Sequence, residues 1–251
     1  MQTSNPAFTT FAPAFDISES RSTTMTPMGT AVKAMVLLAI VMACAAFSWV
    51  QTAEQPSMTP ALMIGGLIGG LVFFFITVLK PTQAPWSAPL YSACEGLLLG
   101  VISRFAALRF GGVDHQYGGI VIQAVALTGG VTFLMLFLYV TGIIKVTGQL
   151  VTGIMAATGA IALLYLVSFV MSFFGTSIPF IHSSGPLGIA FSVFVVGLAA
   201  FNLLLDFDFI DRGSRAGMSK SMEWYGAFGL MVTLIWLYLE VLRLLSKLNR
   251  R

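Results

Sequence analysis

Four acidic side chains lie inside strongly apolar stretches of this chain, and they are its best candidates for chemistry. Glu95 occurs in YSACEGLLLG, and Glu240 occurs in WLYLEVLRLL. Asp206 and Asp208 both occur in NLLLDFDFID. An ionisable group within a membrane helix is costly, so it usually pairs with another group or marks the path of an ion or a proton. We therefore take these acids as candidates for an ion pathway or for pH sensing.

Asp206 is the strongest of these candidates because of its helical neighbours. Asn202 stands four residues earlier, which places an amide and a carboxyl one turn apart on the same helical face. Asp208 is two residues further on and therefore lies on a different face. Asp208 and Asp211 also fit a second interpretation, as acids at headgroup level close to Arg212. Asp206 lies deeper in the apolar run and is predicted to point into a bundle.

The other two acids differ in their basic neighbours. Glu240 has Arg243 one turn later, within reach of an ion pair on one helix. This spacing fits two interpretations of Glu240 equally well: one half of a neutralised ion pair at the membrane edge, or a functional acid. The nearest base to Glu95 in its own run is Arg104, about 14 Å away along a helix. Because burial disfavours the charged form of a carboxyl, Glu95 is expected to be neutral unless another helix supplies a partner.

No set of residues in the sequence has the spacing of a catalytic site. There is no nucleophile elbow, no HExxH pair, no cysteine–histidine metal spacing and no glycine-rich phosphate loop. Cys44 and Cys94 fall in apolar runs, where we interpret them as free thiols. We therefore expect that the protein is not an enzyme and that it holds no cofactor and no metal.

The elements that carry these acids are predicted to be membrane helices. Hydrophobic residues make up 57% of the 251 residues and charged residues only 9%. A soluble domain has about a quarter charged residues, so most of this surface does not face water. The small net charge of +3 argues against a nucleic-acid-binding protein. Seven apolar runs reach the roughly 20 residues that cross a bilayer: 31–50, 61–79, 86–108, 118–142, 150–174, 186–210 and 224–245.

We therefore predict an all-α fold, a polytopic membrane bundle of about seven helices over residues 31–251. A flexible tail rich in Ser, Thr and Pro precedes it at 1–30. Lipid cannot bond to unpaired backbone groups, which favours continuous helices, and the runs do not alternate as barrel strands would. Glycines spaced four apart in the second and third runs predict close helix packing: Gly66 with Gly70, and Gly96 with Gly100.

Loop charges predict the orientation of the bundle, because Lys and Arg concentrate on the cytoplasmic side. A cytoplasmic N-terminus places Lys33, Lys80, Lys145 and the basic loop at 212–220 on that side. Seven crossings then put the basic C-terminus outside, which conflicts with the concentration of Lys and Arg on the cytoplasmic side. The conflict disappears if the last segment does not cross fully. We favour the interpretation that the six preceding helices decide the topology. No targeting segment is visible, so we expect a bacterial plasma (inner) membrane.

The sixth and seventh runs resemble the Bax inhibitor-1 family, the transmembrane Bax-inhibitor-motif proteins. The resemblance rests on LLLDFDFI at a helix end, a short charged loop, LYLEVLRLL in the closing helix and EGLLLG in the third run. It covers nearly the whole chain after the tail. It implies seven helices with the last one central, and a pH-sensitive calcium leak. Some members are linked instead to the regulation of membrane proteases or of cell death.

In that family an aspartate at the end of the sixth helix pairs with an aspartate in the seventh. Asp206 with Ile210 matches the first pattern, and the resemblance leaves Glu240 and Thr233 as candidates for the second position. Helix geometry favours Thr233. In a helix that begins at Glu223, Glu240 lies about 26 Å along the axis and Thr233 about 15 Å. The paired acids are therefore expected to be missing from this chain.

We expect an ion-leak protein in which Asp206 is the pH-sensitive acid. The other groups expected along the pathway are Glu240, Glu95, Asn202, Asp208 and Thr233. The expected partners are the lipid bilayer, calcium ions or protons, and a membrane protein, but no nucleic acid. The alternative is a non-conducting regulator that binds membrane proteases or other membrane proteins. A proton-coupled transporter fits less well, because no internal repeat and no pair of broken helices is visible.

Overall fold

The structure, a computed structural model, describes residues 24–110, 119–175 and 183–249. These ranges form seven long α-helices and contain no β-strand, which confirms the predicted all-α bundle. Two short 3-10 turns, Pro56–Met58 and Pro81–Gln83, connect the first three helices. The helices are α1 (Pro27–Glu54), α2 (Thr59–Leu79), α3 (Ala84–Phe110), α4 (Gly119–Val140), α5 (Gly148–Phe173), α6 (Pro186–Arg215) and α7 (Met222–Leu248).

Local sequence explains where several of these helices begin and end. The Thr26 side chain accepts a hydrogen bond from the Gly29 backbone N–H at 3.0 Å, and Pro27 follows as the first helical residue of α1. At the end of α6, Gly217 has φ +67°, a left-handed conformation that favours glycine. Its N–H donates to Ser214 O, and the next N–H, of Met218, donates to the carbonyl of residue 213. This turn ends α6 and leads directly into α7.

Helix α1 begins four residues before the predicted start of the bundle at residue 31. Thr24 forms an isolated antiparallel bridge with Ser219, and the Met25 N–H donates to Met218 O at 2.7 Å. The last residues of the predicted tail are therefore part of the packed structure. The rest of that tail, residues 1–23, lies outside the described residues.

Contacts between the helices show how they run relative to one another. Ser48 of α1 donates to Leu97 O of α3, and the two helices run parallel. Helices α6 and α7 run antiparallel, because Lys247 meets the start of α6 and Gly226 packs against Ile210 near its end. Both relations agree with successive helices that alternate in direction.

Helix α7 is the central element of the bundle, as predicted. It packs against α1, α3, α4 and α6, it reaches α2 through the Phe74–Phe228 ring contact, and it reaches α5 through Tyr165. Buried residues of α7 belong to two apolar clusters, one that includes Leu237 and one that includes Met231. The other helices are thus arranged around one axis that α7 occupies.

The outer surface of the bundle is apolar. Six helices of the described ranges are long and apolar enough to cross a membrane. The remaining long helix, α3, carries Glu95, Arg104 and an internal Pro89, and it packs between α1 and α2. Large apolar side chains point outward from the other helices, among them Phe133, Leu163, Phe169 and Leu187. Such a surface matches a lipid environment.

Candidate functional site

Asp206 lies in the last third of α6, where this helix packs against α7. Its side chain is partly buried, and its Oδ2 atom is enclosed without a hydrogen-bond partner among the described residues. On α7 it faces Gly229, where an added methyl group would lie 3.8 Å from Oδ1, and Thr233, which lies close to the carboxyl. A buried oxygen without a partner costs free energy. This carboxyl oxygen therefore lacks the donor that would stabilise it.

No basic side chain of the described residues forms an ion pair with Asp206. The ion pairs found there belong to Glu223, Asp208, Asp211 and Glu240. Thr233 directs its hydroxyl to the Gly229 carbonyl at 3.3 Å, within its own helix. The polar side chain that α7 places beside Asp206 is thus a hydroxyl, which cannot neutralise a carboxylate.

Asn202 shares a helical face with Asp206, but it bonds elsewhere. Its side-chain amide donates to the Thr158 hydroxyl of α5 at 2.8 Å and to Leu198 O at 2.9 Å. The structure therefore places Asn202 at the contact between α5 and α6, one turn from Asp206, without a hydrogen bond between the two side chains.

Asp208 forms an ion pair with Arg212 at 2.7 Å, and Asp211 forms one with Arg215 at 2.8 Å. The two arginine side chains are 65% and 78% exposed, so both pairs lie at the surface. Asp208 and Asp206 consequently face different surroundings, as their spacing indicates. This geometry agrees with the interpretation of Asp208 as an acid close to Arg212.

Glu240 is almost fully buried, with 2% of its side chain exposed, and it does not meet Asp206. Its Oε1 accepts from the Tyr165 hydroxyl at 2.9 Å and from Arg243 Nη1 at 3.0 Å. Arg243 Nη1 also donates to the Tyr165 oxygen, and the guanidinium lies 4.8 Å from the centre of that ring. Of the two seventh-helix candidates, Thr233 is the one beside Asp206.

Glu95 faces α2 instead of the contact between α6 and α7. A methyl group at Gly70 would lie 2.8 Å from Glu95 Oε1, so this glycine leaves room for the carboxyl. Glu95 forms no ion pair among the described residues. The structure does not bring it together with Asp206 or with Glu240.

A buried acid at the start of α7, Glu223, was missed as a site residue. Spacing to Lys220 indicates a solvated pair at the membrane interface, and the pair exists at 3.1 Å, but Glu223 is fully buried. It also pairs with Lys33 of α1 and accepts from the Thr26 N–H and hydroxyl, both at 2.9 Å. Glu223 is therefore a paired carboxylate that α1 covers.

Lys247 at the other end of α7 was also missed. Its side chain is 4% exposed, and its Nζ donates to Gly188 O at 2.9 Å and to Ser192 Oγ at 2.8 Å, both on α6. In the sequence it looks like one of several loop charges near the C-terminus. Its partners come from residues more than fifty positions earlier, so no local pattern could identify them.

No group of three or more His, Cys, Asp or Glu side chains in the described ranges could hold a metal ion. The fold and the acids together define a polytopic integral membrane protein in which buried ionisable groups lie where helices meet. Comparison with protein families agrees with this class. A family model described as Bax inhibitor 1 like matches residues 5–250, nearly the whole chain. The chain belongs to this Bax inhibitor 1-like family.

The searches of curated proteins and of solved structures found no match to the chain.

Proposed function

We propose that this protein is a pH-sensitive leak for calcium ions, in which Asp206 is the titrating acid. The enclosed Oδ2 of Asp206, without a partner among the described residues, is the observation that carries this proposal. When the carboxyl is neutral, it is compatible with its apolar surroundings. When it is ionised, it needs a cation or water, because no base of the described residues pairs with it.

The groups around Asp206 support a response that depends on this acid alone. On α7 it meets Gly229 and Thr233. Charged and titratable groups of the described residues toward this end of the bundle have partners of their own. These are Lys33 of α1 with Glu223, Tyr139 of α4 with Asp211, and Asp208 and Asp211 of α6 with arginines. Asn202, which is not titratable, binds Thr158 of α5.

A single acid changes the expected pH response. Two carboxyls in contact share a proton and titrate as a coupled pair. Here Thr233 occupies the facing position, so one proton controls the charge. Loss of that proton leaves a carboxylate that attracts a cation between α6 and α7. One carboxylate with a hydroxyl and carbonyl oxygens falls short of the roughly 6–8 oxygens that calcium prefers, and weak binding favours passage over storage.

Glu95 and Glu240 act as supporting polar groups in this proposal. The location proposed for the protein is a bacterial plasma membrane with the N-terminus in the cytoplasm. Support comes from the basic side chains at the end of the bundle where α1 and α7 begin, including Lys33 and Lys220. Calcium ions, protons and the lipid bilayer are the proposed partners.

The test is calcium flux into liposomes that contain the purified protein, measured from acid to neutral pH. We expect the wild-type leak to rise by about tenfold as Asp206 ionises, the lower end of what a focused charge does to local ion concentration. The increase of the leak with pH should follow the titration curve of a single proton. Asp206→Asn cannot ionise, so its leak should stay at the acid value across the range.

Asp208→Asn is the matched control, because it removes the neighbouring carboxyl that Arg212 already neutralises. It should keep the wild-type pH profile. Equal leaks from wild type and Asp206→Asn at every pH would refute the role of Asp206. No leak from either protein would favour the alternative, a non-conducting regulator that binds membrane proteases or other membrane proteins.

A further inference from the structure

The three residues before α1, at positions 24–26, connect α1 to both α6 and α7. We call this segment the N-terminal clasp. Thr24 forms an antiparallel bridge with Ser219 in the turn between α6 and α7, and the Met25 N–H donates to Met218 O at 2.7 Å. These backbone contacts hold the clasp on the turn that joins the two helices.

The Met25 side chain is 1% exposed and lies between a glycine of α6 and a glycine of α7. A carbon added at Gly213 would lie 3.0 Å from Met25 Sδ, and one added at Gly226 would lie 3.3 Å from Met25 Cε. Because neither glycine has a side chain, the two helices leave a space between them that this methionine fills. Met25 therefore packs against α6 and α7 at the same time.

The third residue of the clasp bonds to the start of α7. The Thr26 N–H and hydroxyl both donate to Glu223 Oε1 at 2.9 Å, and Lys33 of α1 pairs with the same carboxylate. Glu223 is fully buried, and hydrogen bonds to an ionised group are stronger than those between neutral groups. The clasp is thus fixed to α7 by a side chain as well as to the turn by its backbone.

The clasp lies next to the part of the α6–α7 contact that contains Asp206. On α7, Gly226 is three residues before Gly229, which faces Asp206, so the two glycines are about 4.5 Å apart along the axis. On α6, Ile210 is one turn after Asp206 and packs against Gly226. The layer formed by Met25, Ile210 and Gly226 therefore lies between Asp206 and the end of the bundle where α7 begins.

We propose that the N-terminal clasp is an autoinhibitory contact that keeps α6 and α7 closed beside Asp206. While the clasp is docked, the two helices cannot separate at Gly213 and Gly226 without losing the contacts of Met25. When the clasp is released, water reaches Asp206 from the end of the bundle where α7 begins. The effect on ion flow rests on the proposed leak function, whereas the closure beside Asp206 does not.

The experiment measures how fast a thiol at position 206 reacts with a charged, water-soluble methanethiosulfonate. Asp206→Cys is introduced into the full-length protein with Cys44→Ser and Cys94→Ser, and the protein is purified in detergent. Adding Met25→Ala removes the side chain that fills the space, so local opening should be more frequent and the reaction about tenfold faster. Met25→Leu fills the space with another apolar side chain and should leave the rate unchanged.

Met28→Ala is the matched control, because Met28 is 75% exposed and lies outside the clasp. It should leave the reaction rate at position 206 unchanged. A second thiol, Ala199→Cys, is placed at a fully buried position two turns earlier on α6. It should stay unreactive when Met25→Ala is added, because the clasp does not reach this part of the helix.

An unchanged rate at position 206 in Met25→Ala would overturn the clasp. Equal acceleration at positions 199 and 206 would also overturn it, because a general loosening of the bundle produces that result. A merely structural anchor would lower the unfolding midpoint of Met25→Ala without a selective change at position 206.

Calcium flux into liposomes at neutral pH separates this inference from the proposed function. If both hold, Met25→Ala should leak about tenfold more than the wild type, in proportion to the open population. Met25→Ala combined with Asp206→Asn should leak no more than Asp206→Asn alone. A faster reaction at position 206 without a larger leak would refute the proposed function and leave the clasp standing.

Discussion

At the scale of single residues, burial separates the acids of this protein more clearly than position in the sequence does. Glu223 is fully enclosed and is held by Lys33, Lys220 and Thr26. Asp208 has one arginine at the surface. A buried carboxylate that loses its partners costs several kcal/mol, whereas a surface pair contributes little. The two acids should therefore respond very differently to the same chemical change.

We predict that Glu223→Gln destabilises the protein by about 3 kcal/mol, because it leaves the charge of Lys33 without its buried partner. The measurement is the unfolding midpoint in detergent, by heat or by denaturant. Asp208→Asn serves as the comparison and should cost less than about 1 kcal/mol. Equal losses in the two variants would show that the Glu223 cluster is solvated and contributes no more than a surface pair.

At the scale of helices, glycines decide how closely α1 and α2 approach α3. A methyl group at Gly96 would lie 2.6 Å from Val41 O of α1, and one at Gly66 would lie 2.9 Å from Cys94 O. Both distances are too short for a carbon beside a backbone oxygen. The prediction that these glycines permit close packing is confirmed by this geometry. The contact also places α3, the least apolar of the long helices, between two apolar neighbours.

We predict that Gly96→Ala costs about 2 kcal/mol, because the new methyl group forces α1 away from α3. Gly65→Ala is the matched control, since nothing lies within 4 Å of the added carbon. It should be neutral or stabilise the protein by up to about 1 kcal/mol, the gain in helix propensity. Thermal midpoints of the two variants in the same detergent test this difference. A stable Gly96→Ala protein would mean that the two helices are not in contact there.

At the scale of the whole molecule, the basic residues at the C-terminal end of α7 conflict with the predicted orientation. Seven crossings place them outside, although Lys and Arg usually concentrate on the cytoplasmic side. Both described cations at this end are used inside the bundle, since Arg243 pairs with Glu240 and Lys247 bonds to the start of α6. Cations held in this way are not free loop charges. Because α6 and α7 run antiparallel, we expect the two ends of α7 to lie on opposite sides of the membrane.

This topology predicts the side from which single cysteines react with a labelling reagent. Each cysteine is introduced into a protein that carries Cys44→Ser and Cys94→Ser. Lys145→Cys and Ser219→Cys should react from one side of the membrane with a reagent that cannot cross it. Gln55→Cys and Asn249→Cys should react only from the other side. Labelling of intact cells, where the reagent reaches only the outer side, is compared with labelling of opened cells, where it reaches both sides. The comparison assigns each cysteine to one side of the membrane. Reaction of Ser219→Cys and Asn249→Cys from the same side would rule out a seventh crossing.

Much of the fold could be predicted because it depends on local properties. The length of each apolar run, the capping Thr26 and the glycine at 217 all act within a few residues. The axial position of Thr233 relative to Asp206 also follows from the constant rise of a helix. The acids Asp206 and Glu240 stand out because charged residues are rare in apolar runs.

The partners of these acids could not be predicted from local patterns. Tyr165 meets Glu240 across 75 residues, Asn202 meets Thr158 across 44, and Lys33 meets Glu223 across 190. Such contacts depend on how far each helix is rotated about its own axis, and packing of the whole bundle sets that rotation. Composition and spacing therefore establish a seven-helix membrane bundle with costly acids inside it. Only the packed helices establish that Glu223 and Glu240 are neutralised while Asp206 forms no ion pair within the described part of the chain, because a neutralising charge must come from a neighbouring side chain in space.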